Sequence, residues 1–318
     1  MDAIKNSFSK SYLLQKSQMQ SILQIIKFDT VNRPFSSREL WLLRILAATV
    51  FFGRAWQYLF WDVPFRTLLW DEGWMTPVVN FFGMSWEAYI SNMEIVVWQD
   101  IVIQIIGIFY FVLGLLGLFA TEVLGQASAK RRWIKSLLWI GSFFLFCLSL
   151  LYWKEQFYRF GQLVEYTIQW STPILLILAI YRLPNNFYFR FLIKIAIALT
   201  FIGHGLYALG YYPTPGNFMQ MTIDMFAIDD GQASVFLKTV GILDLVVALG
   251  IFIPYVWKPA VIYCVVWGFA TAFARIVINF DTQMPIETLH QWLHETVYRL
   301  PHGGIPLLLW LLMREKTN

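Results

Sequence analysis

Stretches of apolar residues, each about as long as a bilayer crossing, alternate along this chain with short polar joints. Read at helical spacing they predict eight spans, near residues 39–61, 101–120, 134–153, 166–182, 191–210, 236–256, 259–279 and 297–313, against the roughly 20 residues that cross a hydrocarbon core. The fourth and eighth are short, so both are expected to begin with polar turns at the interface. Residues 1–38 read differently. Leu13, Leu14, Ile22, Leu23, Ile25 and Ile26 recur there at roughly helical spacing among polar residues, which predicts an amphipathic helix lying on the cytoplasmic membrane surface. No continuous apolar core in that stretch marks a signal peptide. Pro34 ends the segment, and Ser36-Ser37 is placed to cap the first span.

Composition strengthens the membrane assignment. Apolar residues make up 58% of the chain and charged residues 14%, where a soluble domain carries about 25% charged. The net charge of +4 gives no nucleic-acid signature. Cys147 and Cys264 stand alone inside apolar runs, away from any CxxC pairing, which argues against a disulfide or zinc framework. With the N-terminus placed inside, most Lys and Arg fall on the cytoplasmic side, including the block Lys130-Arg131-Arg132-Lys135, and most acidic residues fall opposite. That asymmetry predicts a multi-pass inner-membrane protein with both termini in the cytoplasm.

The chain also repeats itself. FFGRAWQYLF (residues 51–60) is answered by FIGHGLYALG (residues 201–210), with Arg54 and then His204 following the glycine. GIFYFVLGLLGLF from Gly107 lines up with GILDLVVALGIFI from Gly241, which sets Tyr110 opposite Asp244. Trp139 and Gly141 resemble Trp267 and Gly268, and the run from Pro173 to Arg182 resembles that from Pro306 to Arg314. Thr76-Pro77 and Thr214-Pro215 mark the long outer loop after each first span. An even number of spans per copy keeps the copies parallel. The expected architecture is therefore all-α and polytopic. A cytoplasmic segment 1–38 precedes a four-helix unit over 39–183, with its outer loop at 62–100, and a second four-helix unit covers 184–318.

The motifs FIGHGLYALG, TPGNF and VGILDLVVALG, and with them residues 190–314, resemble DoxX-type membrane proteins; residues 40–182 resemble them more weakly. Asp244 stands at the acidic position of that family's second helix, whereas the first half has Tyr110. The family takes its name from a subunit of a thiosulfate:quinone oxidoreductase. The resemblance thus implies a redox-complex subunit or oxidoreductase that binds a quinone or lipid-like molecule near the outer leaflet. A non-enzymatic reading is the alternative: an accessory, assembly or transport subunit that engages a membrane or periplasmic protein through its outer loops. A membrane-embedded lipid-modifying enzyme is a third reading.

Chemistry-bearing residues are few. Arg54, His204, Asp244 and Arg275 fall inside predicted spans, where an ionisable group is costly unless paired or lining a cavity. Asp244 can approach His204 or Arg275 from a neighbouring helix of the second unit. The resulting polar cluster is either an ion pair that fixes helix register or a proton-handling or headgroup-binding site. His290 and His294 share a helical face, but two imidazoles alone make an incomplete metal site. An interfacial helix with Trp292 and Tyr298 at headgroup depth accounts for them, and no metal is expected. His204, His290 and His294, with Lys154 and Glu155 at the outer end of the third span, remain cofactor-contact candidates. The outer loop, rich in tryptophans and carboxylates, is expected to form short helices roofing a cavity.

Overall fold

A computed structural model describes residues 32–119, 128–181 and 184–314. The expected surface helix at residues 1–31, the side chains of Lys130 and Arg131, and the positions Arg182 and Lys316 lie outside the described residues. Thirteen helices and no strand form among the described residues: α1 Ser37–Phe60, α2 Arg66–Leu69, α3 Glu72–Phe81, α4 Trp86–Ser91, α5 Met93–Leu118, α6 Ser128–Glu155, α7 Phe160–Glu165, α8 Thr167–Tyr181, α9 Phe187–Ala208, α10 Gly216–Phe226, α11 Asp230–Gly250, α12 Trp257–Asn279 and α13 Pro285–Met313.

Local chemistry sets the helix starts. Ser36 caps α1 as expected; its hydroxyl accepts from the Glu39 amide, and the Glu39 carboxylate accepts from the Ser36 amide at 2.7 Å. Arg33 then donates to the same carboxylate at 2.9 Å and pairs its backbone with Asn185, tying the entry of α1 to that of α9. Asp229 builds a like capping box with Gln232 on α11. This places the sixth helix at 230–250 rather than the expected 236–256, because residues 251–256 leave the helix as turns. Helix α5 starts at Met93 under an Asn92 cap, well before the expected 101. The helix expected as the fourth span starts at Phe160, with a break at Tyr166 between α7 and α8, and the one expected as the eighth starts at Pro285. In each case apolarity locates the middle of the helix, while the first turns, interrupted by polar residues, lie outside the apolar run.

Six helical stretches are long and apolar enough to cross a membrane: α5, Arg132–Glu155 of α6, Phe160–Ile180 across α7 and α8, α9, α11 and α12. This is an integral membrane protein. The remaining long helices, α1 and α13, are also long, but they carry the buried ionisable side chains Glu39, Arg44 and Arg54, and His294 and His302. Charged groups in a bilayer face the bundle interior, and these two helices pack closely against each other. Their failure to look apolar follows from their central position.

The packing has a regular plan. Helix α1 packs on α5 and on α13, while α9 packs on α11 and on α7 and α8. A Cβ on Gly53 would lie 2.7 Å from the Tyr298 backbone nitrogen and 2.9 Å from the His294 carbonyl oxygen. A Cβ on Gly203 would lie 2.8 Å from the Glu165 nitrogen and 2.6 Å from the Gly161 oxygen. Counting back from Pro173 and Pro306, Gly161 and His294 are equivalent, as are Glu165 and Tyr298. The two glycines therefore press against the same atoms of matching residues. Gly107 likewise meets Leu59, and Gly241 meets Leu209, which is Leu59's counterpart when Gly53 is set on Gly203.

These contacts leave no room for a methyl group. Gly53→Ala and Gly203→Ala should each lower stability by about 1–3 kcal/mol through overpacking, read as a lower thermal midpoint of the detergent-solubilised protein. Gly216→Ala, with nothing within 4 Å of the added carbon, should leave the midpoint unchanged.

Candidate functional site

The ionisable residues of the second half meet around one cavity. Glu295, Tyr298, Arg299 and His302 recur at three- and four-residue spacing on α13, so they share one face. That face meets α12, where Gly268 lies against the His302 backbone and Thr296 donates to the Ala272 carbonyl at 2.8 Å. The close approach brings Arg275 Nη1 to 2.8 Å from Glu295 Oε2, while Arg299 Nη1 reaches the same oxygen at 2.9 Å. Arg299 also donates to the Tyr298 hydroxyl at 2.7 Å. Two guanidinium groups thus share one carboxylate, which leaves a positive excess. Arg275 Nε is buried with no hydrogen-bond partner among the described residues.

Histidines form the next layer. His302 Nδ1 lies 2.9 Å from the Arg299 carbonyl oxygen. A carbonyl can only accept, so Nδ1 carries a proton, and in the neutral ring Nε2 is then the acceptor. The His204 ring sits 5.5 Å from that of His302, and its Nδ1 is 3.7 Å from Glu165 Oε1 on α7, beyond a direct hydrogen bond. Across the cavity Asp244 accepts from the Tyr263 hydroxyl at 2.9 Å. The cavity itself measures about 230 Å³. His204, Asp244, Arg275, Arg299 and His302 line it, with apolar walls that include Phe201, Phe236 and Trp267. Helix α10, after the loop that follows α9, closes one side with Phe218, Met221 and Met225.

His204, Asp244 and Arg275 are therefore neighbours on one cavity, yet each has a different partner: Glu165, Tyr263 and Glu295. Arg54 does not line this cavity. Its guanidinium is buried, donating to Gln57 at 2.6 Å and to Gln169, and it lies 3.8 Å above the centre of the Tyr298 ring. In the register of the two prolines, Gln169 matches His302 and Tyr298 matches Glu165. Arg54 and His204 thus touch equivalent positions, one from the last helix of their own half and one from the other half. The first setting is sealed by rings, whereas the second opens into the cavity.

The other candidates lie elsewhere. The His290 ring packs among Trp56, Phe60 and Trp61, and its carbonyl accepts from both indoles at 3.2 and 3.1 Å. His294 is buried, with its ring stacked on Trp61. Both belong to one continuous helix, α13, rather than to a separate interfacial helix, and Tyr298 is buried beneath Arg54 instead of lying at headgroup depth. Glu155 is exposed. Lys154 binds Asp71 at 2.6 Å and so fastens α3 to the end of α6. Among the described residues, no group of three or more His, Cys, Asp or Glu is arranged to hold a metal ion.

Glu165, Gln169, Arg299 and His302 went unrecognised from sequence. Glu165 falls just outside the expected fourth span. The Glu295–Arg299 pair, four residues apart on a helix, was the available signal for α13.

An all-helical membrane protein with a buried cavity in its second half, lined by basic and acidic side chains, is what fold and site define. Comparison of the chain with protein-family models, curated proteins and solved structures finds no match.

Glu295→Gln would leave Arg275 and Arg299 facing each other without their shared anion. Breaking a buried pair costs about 3–5 kcal/mol, so the thermal midpoint should fall well below that of wild type. The tie between α3 and α6 behaves differently. The Lys154 ammonium, followed by the Trp74 amide, holds the Asp71 carboxyl below the usual aspartate range. A depressed native value means the tie is fully present above about pH 4 and is lost only as pH falls through that lower value. Protection of the α3 amides, taken relative to the free-peptide exchange rate at each pH, should be unchanged from neutral pH to about pH 5 and should fall only at stronger acid.

Proposed function

We propose that this chain is a DoxX-like inner-membrane protein of eight spans whose second four-helix unit binds the polar head of a quinone or lipid-like molecule near the outer leaflet. The observation that carries the reading is the 230 Å³ cavity, apolar in its walls and lined on one side by Arg275, Arg299, His204 and His302. An amphiphile fits that division. A carbonyl or anionic oxygen would accept from the unpaired Arg275 Nε, and a hydroxyl could donate to His302 Nε2, which can hold a proton at that atom. The apolar body would lie against Phe236, Trp267 and the methionines of α10. Equivalent glycine seats at Gly53 and Gly203 support two tandem units, 39–183 and 184–318. The outer loops, which hold α2 to α4 and α10, support cytoplasmic termini with the cavity on the opposite side.

Calorimetric titration of the detergent-solubilised protein with a fully substituted short-chain quinone, and separately with an anionic phospholipid, tests this reading. Saturable binding of one of them is expected, weakened roughly 10- to 100-fold by Arg275→Gln, the worth of a hydrogen bond to a charged group. Binding of neither would remove the proposal. Topology has its own measurement. In a chain lacking Cys147 and Cys264, an impermeant maleimide should label cysteines at positions 74 and 218 from outside, and should not label one at position 132.

The alternative, an accessory, assembly or transport subunit that engages a protein partner through its outer loops, draws on Phe81 and Phe82. These are 85% and 76% exposed at the end of α3. Under the ligand-binding reading, Phe81→Ser with Phe82→Ser leaves quinone or lipid affinity unchanged.

A further inference from the structure

The first half holds a second cavity, and we infer that it takes a neutral lipophile bearing a carbonyl group. It measures about 510 Å³, within the roughly 300–1,000 Å³ of small-molecule sites. Its position mirrors that of the charged cavity. With Gly53 set on Gly203 and Gly107 on Gly241, Tyr58, Ile106 and Tyr110 fall on Ala208, Val240 and Asp244. The first three line this cavity and the second three line the other. The same backbone positions wall both spaces.

What differs is the polar lining. Tyr110 stands where the second half has Asp244; it is fully buried, and its hydroxyl makes no well-formed hydrogen bond, with the Tyr58 side chain beside it. The indole N–H of Trp153, which lines the same cavity, is also buried without a partner. Buried donors left unpaired are unfavourable, and an indole N–H can only donate. The Trp153 indole therefore calls for an acceptor oxygen from a ligand, and the Tyr110 hydroxyl is free to donate to the same oxygen. Lys154 reaches the lining too, but its ammonium is held by Asp71 at 2.6 Å, so the site is not set up to select an anion. The remaining walls, with Phe65, Phe144 and Leu148 among them, are apolar. A carbonyl on an apolar body satisfies every one of these features. Two sources share that chemistry: the acyl ester of a bilayer lipid, and a free lipophile such as a quinone.

Cys147 lines the cavity and so reports its occupancy. In full-length Cys264→Ala protein in detergent, alkylation of Cys147 by N-ethylmaleimide would be timed during titration with dioleoyl phosphatidylcholine, and separately with a fully substituted short-chain quinone. Saturable protection by the phospholipid identifies the bilayer as the source, and protection by the quinone identifies a free lipophile; either supports the inference. Tyr110→Phe and Trp153→Phe keep the ring volume, and each should raise the half-protecting concentration roughly 2- to 10-fold, the worth of one hydrogen bond. Protection by neither probe, or half-protecting concentrations unchanged in both variants, would overturn it. Arg275→Gln, which acts on the charged cavity, should leave Cys147 protection intact. An equal loss in that variant would show a single shared site and would also overturn the inference.

Discussion

One oxygen of Glu295 accepts from both Arg275 and Arg299, and much of the architecture follows from the need to keep that arrangement away from lipid. A guanidinium facing hydrocarbon is strongly disfavoured, so α13, which carries two members of the set, has to sit inside the bundle. Arg275 must reach it from α12, and the contact of Gly268 with the His302 backbone is what lets the two helices come close enough. Once α13 is central, it also meets α1, and Arg54 comes to rest over Tyr298. The apolar helices α5, α6, α11 and α12 are left to the periphery, where a larger share of their surface is exposed than in α9.

Apolar periodicity revealed most of the fold, because each long helix has an apolar middle. It failed at the ends. Helices α5, α7 and α13 begin in turns interrupted by polar residues, partly covered by neighbours in α7 and largely exposed in α5 and α13, and hydropathy cannot distinguish these cases. The candidate site was visible in part for the same reason. His204, Asp244 and Arg275 stood out as ionisable residues within apolar runs. Glu165 lay in a stretch read as loop, while Arg299 and His302 lay in a stretch read through its histidine spacing. Their partnerships depend on which helices touch, and that is decided by Gly53, Gly203 and Gly268, small residues with no chemical signature of their own.

The two halves use one backbone plan for unlike interiors. At the positions that follow Gly53 and Gly203, a permanent cation is enclosed by tyrosines and glutamines in the first half, while an imidazole faces open space in the second. The neighbouring substitution of Asp244 for Tyr110 follows the same division. Arg54 donates to two side-chain amide oxygens and is covered by rings, with its Nε buried and without a hydrogen-bond partner among the described residues. In the second half the corresponding polar groups satisfy one another only partly, and a small space remains between them.

The crossed seating of α1 on α13, and of α9 on α7 and α8, bears on how the chain is made. The helix holding Arg54 is the first described span to leave the ribosome, and the helix that covers it is the last. Until α13 is synthesised, the face of α1 around Gly53 has no neighbour, and Arg54 lacks the ring of Tyr298 above it. The first half therefore cannot mature by itself while the second is still being translated. Its assembly waits on α13, whose arrival locks both halves at once.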